Sequence, residues 1–552
     1  MANVDNDLEE VMAHLGEFGR YQAWQFFLHV IAGLTAGLHM LTLTTVAFVP
    51  PHHCTLPTEY SDYDGPTYSN DSSSVPRIQG SCHYIDINNS IIECSSWTYD
   101  TTYFQSSRAM EWNFVCSHRW MGALAQSSYM FGVFTGAMVL GSMADNHGRK
   151  IIFYISAVGQ VICGITVAMV TEYYTFLAIR FLYGIFGSAG AYITGFVLTM
   201  ELVGASKRTV CGLMFQLAFA VGFMLVAVWG SIISNDRFWL QIVYGLHGAA
   251  LLGHWWLMDE SPRWLWAQGR ISEALKIVQK ALRMNGSQVI LDTQRYLSKS
   301  KVKVVEGEDT SYSAFDLLKT PNLRNKTLNV CLNWFANSIA YYGLALSSGN
   351  LIGNPHLMMF FSAFVEIPSY LFVIFVLDRT GRRSLISTLM LIGGICCITA
   401  PAIPENVSGG QETKVAIVLF GKACLAGSFA IIYNYTAELF PTVLRNTALG
   451  IGSMCARFAG ALTPLMLLLD SLSPRVPATV FGLIALLAGF LALYLPETMD
   501  QPMPETLEDG ENFGKGDTCF TTCFHRKVVD KRTYEVALQR VDDFEREKEQ
   551  KC

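Results

Sequence analysis

Charge is what this sequence has least of. Asp, Glu, Lys and Arg supply 15% of its 552 residues, against about 25% in an ordinary soluble domain. With 51% hydrophobic residues and a mean hydropathy of +0.30, the chain is too apolar to be soluble at its length. No basic stripe with interleaved aromatics occurs, so nothing points to nucleic acid. Enzyme signatures are missing as well. There is no glycine-rich phosphate loop, no His/Cys set at metal-ligand spacing and no nucleophile elbow. The stretch "GSMADNHGRK" lacks the order of a phosphate loop. The acidic start, Met1 to Arg20, has no basic n-region or small-residue cleavage site. It does not read as a cleaved signal peptide, and the first apolar segment is expected to act as an uncleaved anchor.

What is present is a series of apolar runs of about 20 residues, the length that crosses about 30 Å of hydrocarbon. Twelve spans are expected, near 23–49, 120–142, 151–171, 176–199, 210–233 and 239–258, then 328–350, 358–377, 384–403, 414–437, 446–469 and 476–495. Two long polar segments interrupt them, at about 50–118 and 259–326. From Asp259 to Lys326 there are twelve Lys and Arg, whereas Pro50 to Ser117 has only Arg77 and Arg108. Excess Lys/Arg marks the cytoplasmic side. Both termini (1–22 and 497–552) and the central segment 259–326 are therefore expected inside. The 50–118 segment holds Cys54, Cys82, Cys94 and Cys116, and the sequons at Asn70 and Asn88. An even cysteine set in an exported segment suggests two disulfides, with three possible pairings.

The chain also repeats itself. Asp145, followed by Gly148, Arg149 and Lys150, recurs as Asp378, followed by Gly381, Arg382 and Arg383. Glu201 with Arg208 recurs as Glu438 with Arg445, and Glu260 recurs as Glu497. The offsets are 233, 237 and 237 residues. Two six-helix halves in one orientation, 23–258 and 327–496, are the parallel-repeat plan of an all-α membrane protein with the major facilitator fold.

The motifs narrow this further. "GSMADNHGRK" resembles the major facilitator loop between helices two and three. "DESPRWL", "AELFPTVLRNTALGIG" and "LPETMDQPMPET" resemble the organic ion transporter branch, solute carrier family 22. The likeness runs from about residue 20 to 510, with Asp259 standing where the family usually has proline. It implies alternating access at the plasma membrane, and no cofactor. Coupling to Na+ or H+ is left open, as is the oligomeric state. The repeated charges, Asp145, Arg149, Lys150, Glu201 and Arg208 with Asp378, Arg382, Glu438 and Arg445, are expected to gate the two halves. Exposed ion pairs are each worth about 0–1 kcal/mol, but a partly buried cluster can bias a two-state equilibrium.

Substrate sites in this architecture lie near the midplane. The candidates are Trp334, Tyr341, Tyr342, Gln216, Glu366 and Arg457. Trp334 and Tyr341 share a helix face at i, i+7, and aromatic faces attract organic cations. By resemblance, Trp334, Tyr341 and Gln216 match cavity residues of the family. Glu366 and Arg457 are charges inside spans and thus site candidates by default. Arg457 stands where cation carriers of the family place an aspartate, and where anion exchangers and carnitine-type carriers place an arginine. A guanidinium suits a carboxylate because it donates two parallel hydrogen bonds. We expect Glu366 to face a substrate cation or Arg457, and the site to take a small organic zwitterion or cation, with an anion exchanger or a ligand sensor as alternatives. His29 and His39, in the first span, read as satisfied core histidines.

Overall fold

The computed structural model describes residues 6–55, 77–79, 81–85, 90–291, 294, 296, 315–351, 353–404, 409–499, 501, 503–504 and 506–519. The sequons at Asn70 and Asn88 lie outside these residues.

Apolar sequence of spanning length folds as helix because lipid offers the backbone no other partner. The first six helical segments are α1 (Arg20–Val46), α2 (Arg119–His147), α3 (Arg149–Met169), α4 (Tyr173–Leu202), α5 (Arg208–Ile232) and α6 (237–257). The second six are α7 (Pro321–Ser347), α8 (Pro355–Thr380), α9 (Arg382–Thr399), α10 (Gly410–Leu439), α11 (Thr442–Leu467) and α12 (Val476–Ala492). Three of the starts carry side-chain caps. Glu172 accepts from the Thr175 amide at 2.9 Å, Asp236 from Phe238 at 2.8 Å and Asn354 from His356 at 3.0 Å. Proline stands in the first turn of α7, α8 and α12, where its missing N–H costs nothing.

Nine helices among the described residues are long and apolar enough to cross a membrane on composition alone. The other three depart for visible reasons. A 3-10 turn, Gly248–Leu251, breaks α6, and α12 has 17 residues. In α7, Asn329, Asn333 and Asn337 form a polar ladder at i, i+4. Asn333 donates to the Asn329 carbonyl at 3.0 Å and Asn337 to the Asn333 carbonyl at 2.9 Å, so these amide N–H groups find partners within the helix. One irregularity left no mark in the periodicity: Ile185–Ala191 of α4 is π-helical.

The expected all-α class holds for the spans, but the loop adds short strands. β1 (His52–Cys54) pairs antiparallel with β5 (Trp97–Tyr99), and β2 (Arg77–Gln79), β3 (His83–Ile85) and β4 (Ile91–Glu93) form a second sheet in that order. Of the three possible pairings, the structure has Cys54–Cys94 and Cys82–Cys116.

Each set of six helices has its own apolar core. Leu38, Tyr129, Phe176 and Phe223 belong to the first, and Met390, Ile431, Leu439 and Ala488 to the second. The seam between them runs where α2 meets α11 and α5 meets α8. Phe134 and Phe458 meet across it at 6.3 Å. At the end that carries the disulfide loop, Arg119 and Asp470 form an ion pair across the same seam.

Candidate substrate cavity and repeated charge networks

A cavity of about 70 Å³ lies on the seam, room for several waters at about 10–15 Å³ each. A substrate-sized molecule therefore needs the halves to part. Its wall is aromatic: Tyr341 and Tyr342 from α7, Tyr370 from α8, Phe429 and Tyr433 from α10, and Tyr192 from α4. Polar points come from Gln216, Ser338 and Ser453, and from Ser188 in the π-helical turn. Such a turn shifts the helical register by one residue and recurs at functional sites.

Arg457 is the one charged side chain on this wall among the described residues. Its guanidinium donates to the Ser453 carbonyl at 3.2 Å and to the Ser453 hydroxyl. Tyr192, Tyr342 and Tyr433 are close enough to feel its charge. The central arginine thus borrows from its own helix turn and leaves donors facing the cavity.

Glu366 does not sit against Arg457. It is fully buried behind the wall, and its counter-ion is Lys422, with Nζ 3.0 Å from Oε1. The hydroxyls of Tyr341 (2.9 Å) and Tyr370 (3.0 Å) donate to the same carboxylate. Lys422 also donates to Ser362 Oγ at 2.8 Å and lies 4.6 Å from the Phe223 ring. Two tyrosines therefore present their rings to the cavity while their hydroxyls hold a neutralised pair. The expectation of an Arg457–Glu366 contact failed because Lys422, one helix away in space, is 56 residues away in sequence.

Trp334 is placed a layer further back. It is wholly buried, donates Nε1 to Thr436 Oγ1 at 3.0 Å, and packs edge-on against Tyr433 at 4.4 Å. It and Tyr341 do share a face, since both pack on Phe429 at 6.0 Å. Trp334 supports the wall and does not line it. His29 and His39 are buried, bonded to Thr199 Oγ1 at 3.0 Å and to the Tyr183 hydroxyl.

At the end opposite the disulfide loop, the sequence repeat becomes two matching networks. In the first half, Arg149 pairs with Asp145 at 3.1 Å and Glu201 at 3.0 Å, while Glu260 accepts from the Lys150 amide at 3.1 Å. In the second, Arg382 pairs with Asp378 and Glu438, both at 3.0 Å, and Glu497 accepts from the Arg382 amide at 2.8 Å. Gly148 (φ +109°) and Gly381 (φ +85°) turn the chain between helices in a conformation L side chains rarely adopt. A Cβ at either would come within 2.7 or 2.6 Å of the Glu260 or Glu497 carboxylate. Arg208 and Arg445 lie within electrostatic reach of Glu201 and Glu438 but make no direct ion pair with them among the described residues. Arg208 donates to the Val203 carbonyl at 3.3 Å, and Arg445 reaches Met503 Sδ at 3.6 Å. Seven residues apart in sequence, each Glu–Arg pair is separated by a helix end and a turn, and the arginine that opens α3 or α9 takes the carboxylate instead. Lys150 lays its ammonium over Trp255 at 5.1 Å.

Two helical halves, a central cavity on their seam and a duplicated charge network at one end define a membrane transporter of the major facilitator type. Comparison with known proteins agrees. The Sugar (and other) transporter family matches residues 72–509. An organic cation transporter protein of Drosophila melanogaster is 37% identical over 530 residues, covering 92% of this chain and 95% of its own. Solute carrier family 22 member 2 of Rattus norvegicus is 31% identical, covering 97% of this chain and 98% of its own. A proton:xylose symporter bound to 6-bromo-6-deoxy-D-glucose superposes with a TM-score of 0.60 at 17% identity, over 89% of this chain and 98% of that one. That likeness shows the fold alone. The chain belongs to the organic ion transporters, solute carrier family 22, of the major facilitator superfamily.

Proposed function

We propose that this protein carries small organic zwitterions across the plasma membrane by alternating access, with Arg457 as the carboxylate anchor. One observation carries the reading: Arg457 is the single charged residue on an otherwise aromatic and hydroxylic cavity wall among the described residues. The ammonium end of such a substrate would rest on Tyr341, Tyr370 and Phe429, where cation–π attraction is worth about 0.5–2 kcal/mol per ring. The names of the relatives, organic cation transporters among them, support organic ions as the substrate class. Lys422 favours a second reading. By neutralising Glu366 it leaves the cavity with a net positive charge, which suits an organic anion.

In the proposed orientation the disulfide loop faces outside, and both termini and 259–326 face the cytoplasm. The distribution of Lys and Arg supports it. The networks of Arg149 and Arg382 then lie at the inner end, where parting and closing of the halves would load and release them. The test is uptake into cells of three labelled probes: a betaine, the matching quaternary ammonium without its carboxylate, and the matching carboxylate without its ammonium. An Arg457→Ala form is run beside the parent at equal surface expression. Loss of charge-assisted hydrogen bonds worth about 1.5–3 kcal/mol should cut betaine uptake by roughly 10- to 150-fold and spare the plain cation. A parent that moves the plain cation and ignores both carboxylates would sink the carboxylate reading. Uptake of the carboxylate alone would favour the anion reading.

A further inference from the structure

The closure at the disulfide-loop end has a titratable group in its middle. His356, the second residue of α8, is buried. Its Nε2 lies 3.3 Å from the Tyr103 carbonyl, and its ring lies 4.4 Å from Phe104, which stacks on Phe48. Across the seam it fills a notch at Gly230 of α5, where a Cβ would sit 3.2 Å from Nδ1 and 2.8 Å from Thr45. A side chain of the second half is thus wedged among α1, α5 and the loop of the first.

The wedge suits a neutral ring. With Nε2–H donating to Tyr103, the Nδ1 atom is buried with no hydrogen-bond partner among the described residues. A second proton would put a cationic donor there, against glycine backbone and a threonine methyl. Among the described residues no carboxylate pairs with this ring. From α6, the Tyr244 hydroxyl donates to the Val226 carbonyl and shares a hydrogen bond with Thr45 Oγ1, and His247 is held by the Val243 carbonyl and Trp229. The charges of the neighbouring segments are engaged elsewhere: Asp100 with Thr102, Asp236 capping Phe238, and Arg237 with Glu111. Arg119 and Asp470 pair with each other.

We propose that His356 is a positioning residue of the outer closure, and that a proton taken up from the outside holds the halves apart at that end. When the halves part, both ring nitrogens meet water, where an imidazole titrates near pH 6.5. The closed arrangement favours the neutral ring. Its stability is full above about pH 6.5 and falls as the pH drops below it. The open-to-closed ratio should rise by up to about 11-fold at pH 5.5 over its value well above pH 6.5.

The test needs no substrate, so it stands apart from the proposed function. A Met130→Cys reporter, on the cavity wall, is labelled in intact cells by a membrane-impermeant thiol reagent at pH 7.5, 6.5 and 5.5. The same form without the reporter gives the background. His356→Gln and His356→Phe are run in parallel, and each rate is divided by that of a variant at the same pH, which cancels the pH dependence of the thiol. We expect the ratio of parent to variant to rise roughly 5- to 10-fold from pH 7.5 to 5.5. A ratio that stays flat against either variant that reaches the surface overturns the proposal. So does a reporter equally open at pH 7.5 and 5.5 in the parent.

Discussion

Lys422 and Glu366 form the most buried ion pair among the described residues, at 1% and 0% exposure, and its rupture should be asymmetric. Lys422→Met leaves a carboxylate in the core with two hydroxyl donors, Tyr341 and Tyr370. Breaking a buried pair by removing one partner costs about 3–5 kcal/mol. The two surviving hydrogen bonds to charge, worth about 1.5–3 kcal/mol each, should keep the loss near 3. Glu366→Gln leaves a buried ammonium with no counter-charge, facing only the neutral oxygens of Ser362 and the new amide and the Phe223 and Tyr341 rings. Its loss should be nearer 5 kcal/mol. The double form, Glu366→Gln with Lys422→Met, buries no net charge and should recover most of both. The assay is thermal unfolding of the detergent-purified protein, followed by loss of the monodisperse chromatographic peak, for all four forms. A double form as unstable as the sum of the singles would show that the pair is not coupled and would refute this account.

Three further outcomes follow from the same geometry. Gly148→Ala and Gly381→Ala force a Cβ into a left-handed turn and against a carboxylate, so each should destabilise by about 1–3 kcal/mol; similar falls in melting temperature would confirm that the two networks are equivalent. Trp334→Phe loses the bond to Thr436 and should cost about 1 kcal/mol, lowering the transport rate while leaving the ranking of the three uptake probes unchanged; a changed ranking would put Trp334 on the cavity wall. Non-reducing peptide mapping should recover Cys54–Cys94 and Cys82–Cys116, and Cys54→Ser with Cys94→Ser should cost about 2–4 kcal/mol, read as reduced surface expression at 37 °C.

Apolar run lengths and repeat spacing dictate the architecture. Twelve apolar runs of spanning length have only one backbone solution in lipid, and repeats offset by 233 and 237 residues require two like halves. The sequence also exposed the charges within spans, Arg457 and Glu366, because a charge in an apolar run is visible without any fold. Partners were another matter. Lys422 meets Glu366, Trp334 meets Thr436 and His356 meets Tyr103 through packing of helices distant in the chain. Hydropathy is blind to which face of a helix looks inward when nearly every face is apolar. Tertiary structure alone decided that Tyr341 and Tyr370 stand between Glu366 and the cavity, and that Ser188 enters it from a π-helical turn. It also decided that Arg149 and Arg382, not Arg208 and Arg445, take the glutamates. A contact depends on distance in space, and periodicity along one helix carries no information about the helix opposite.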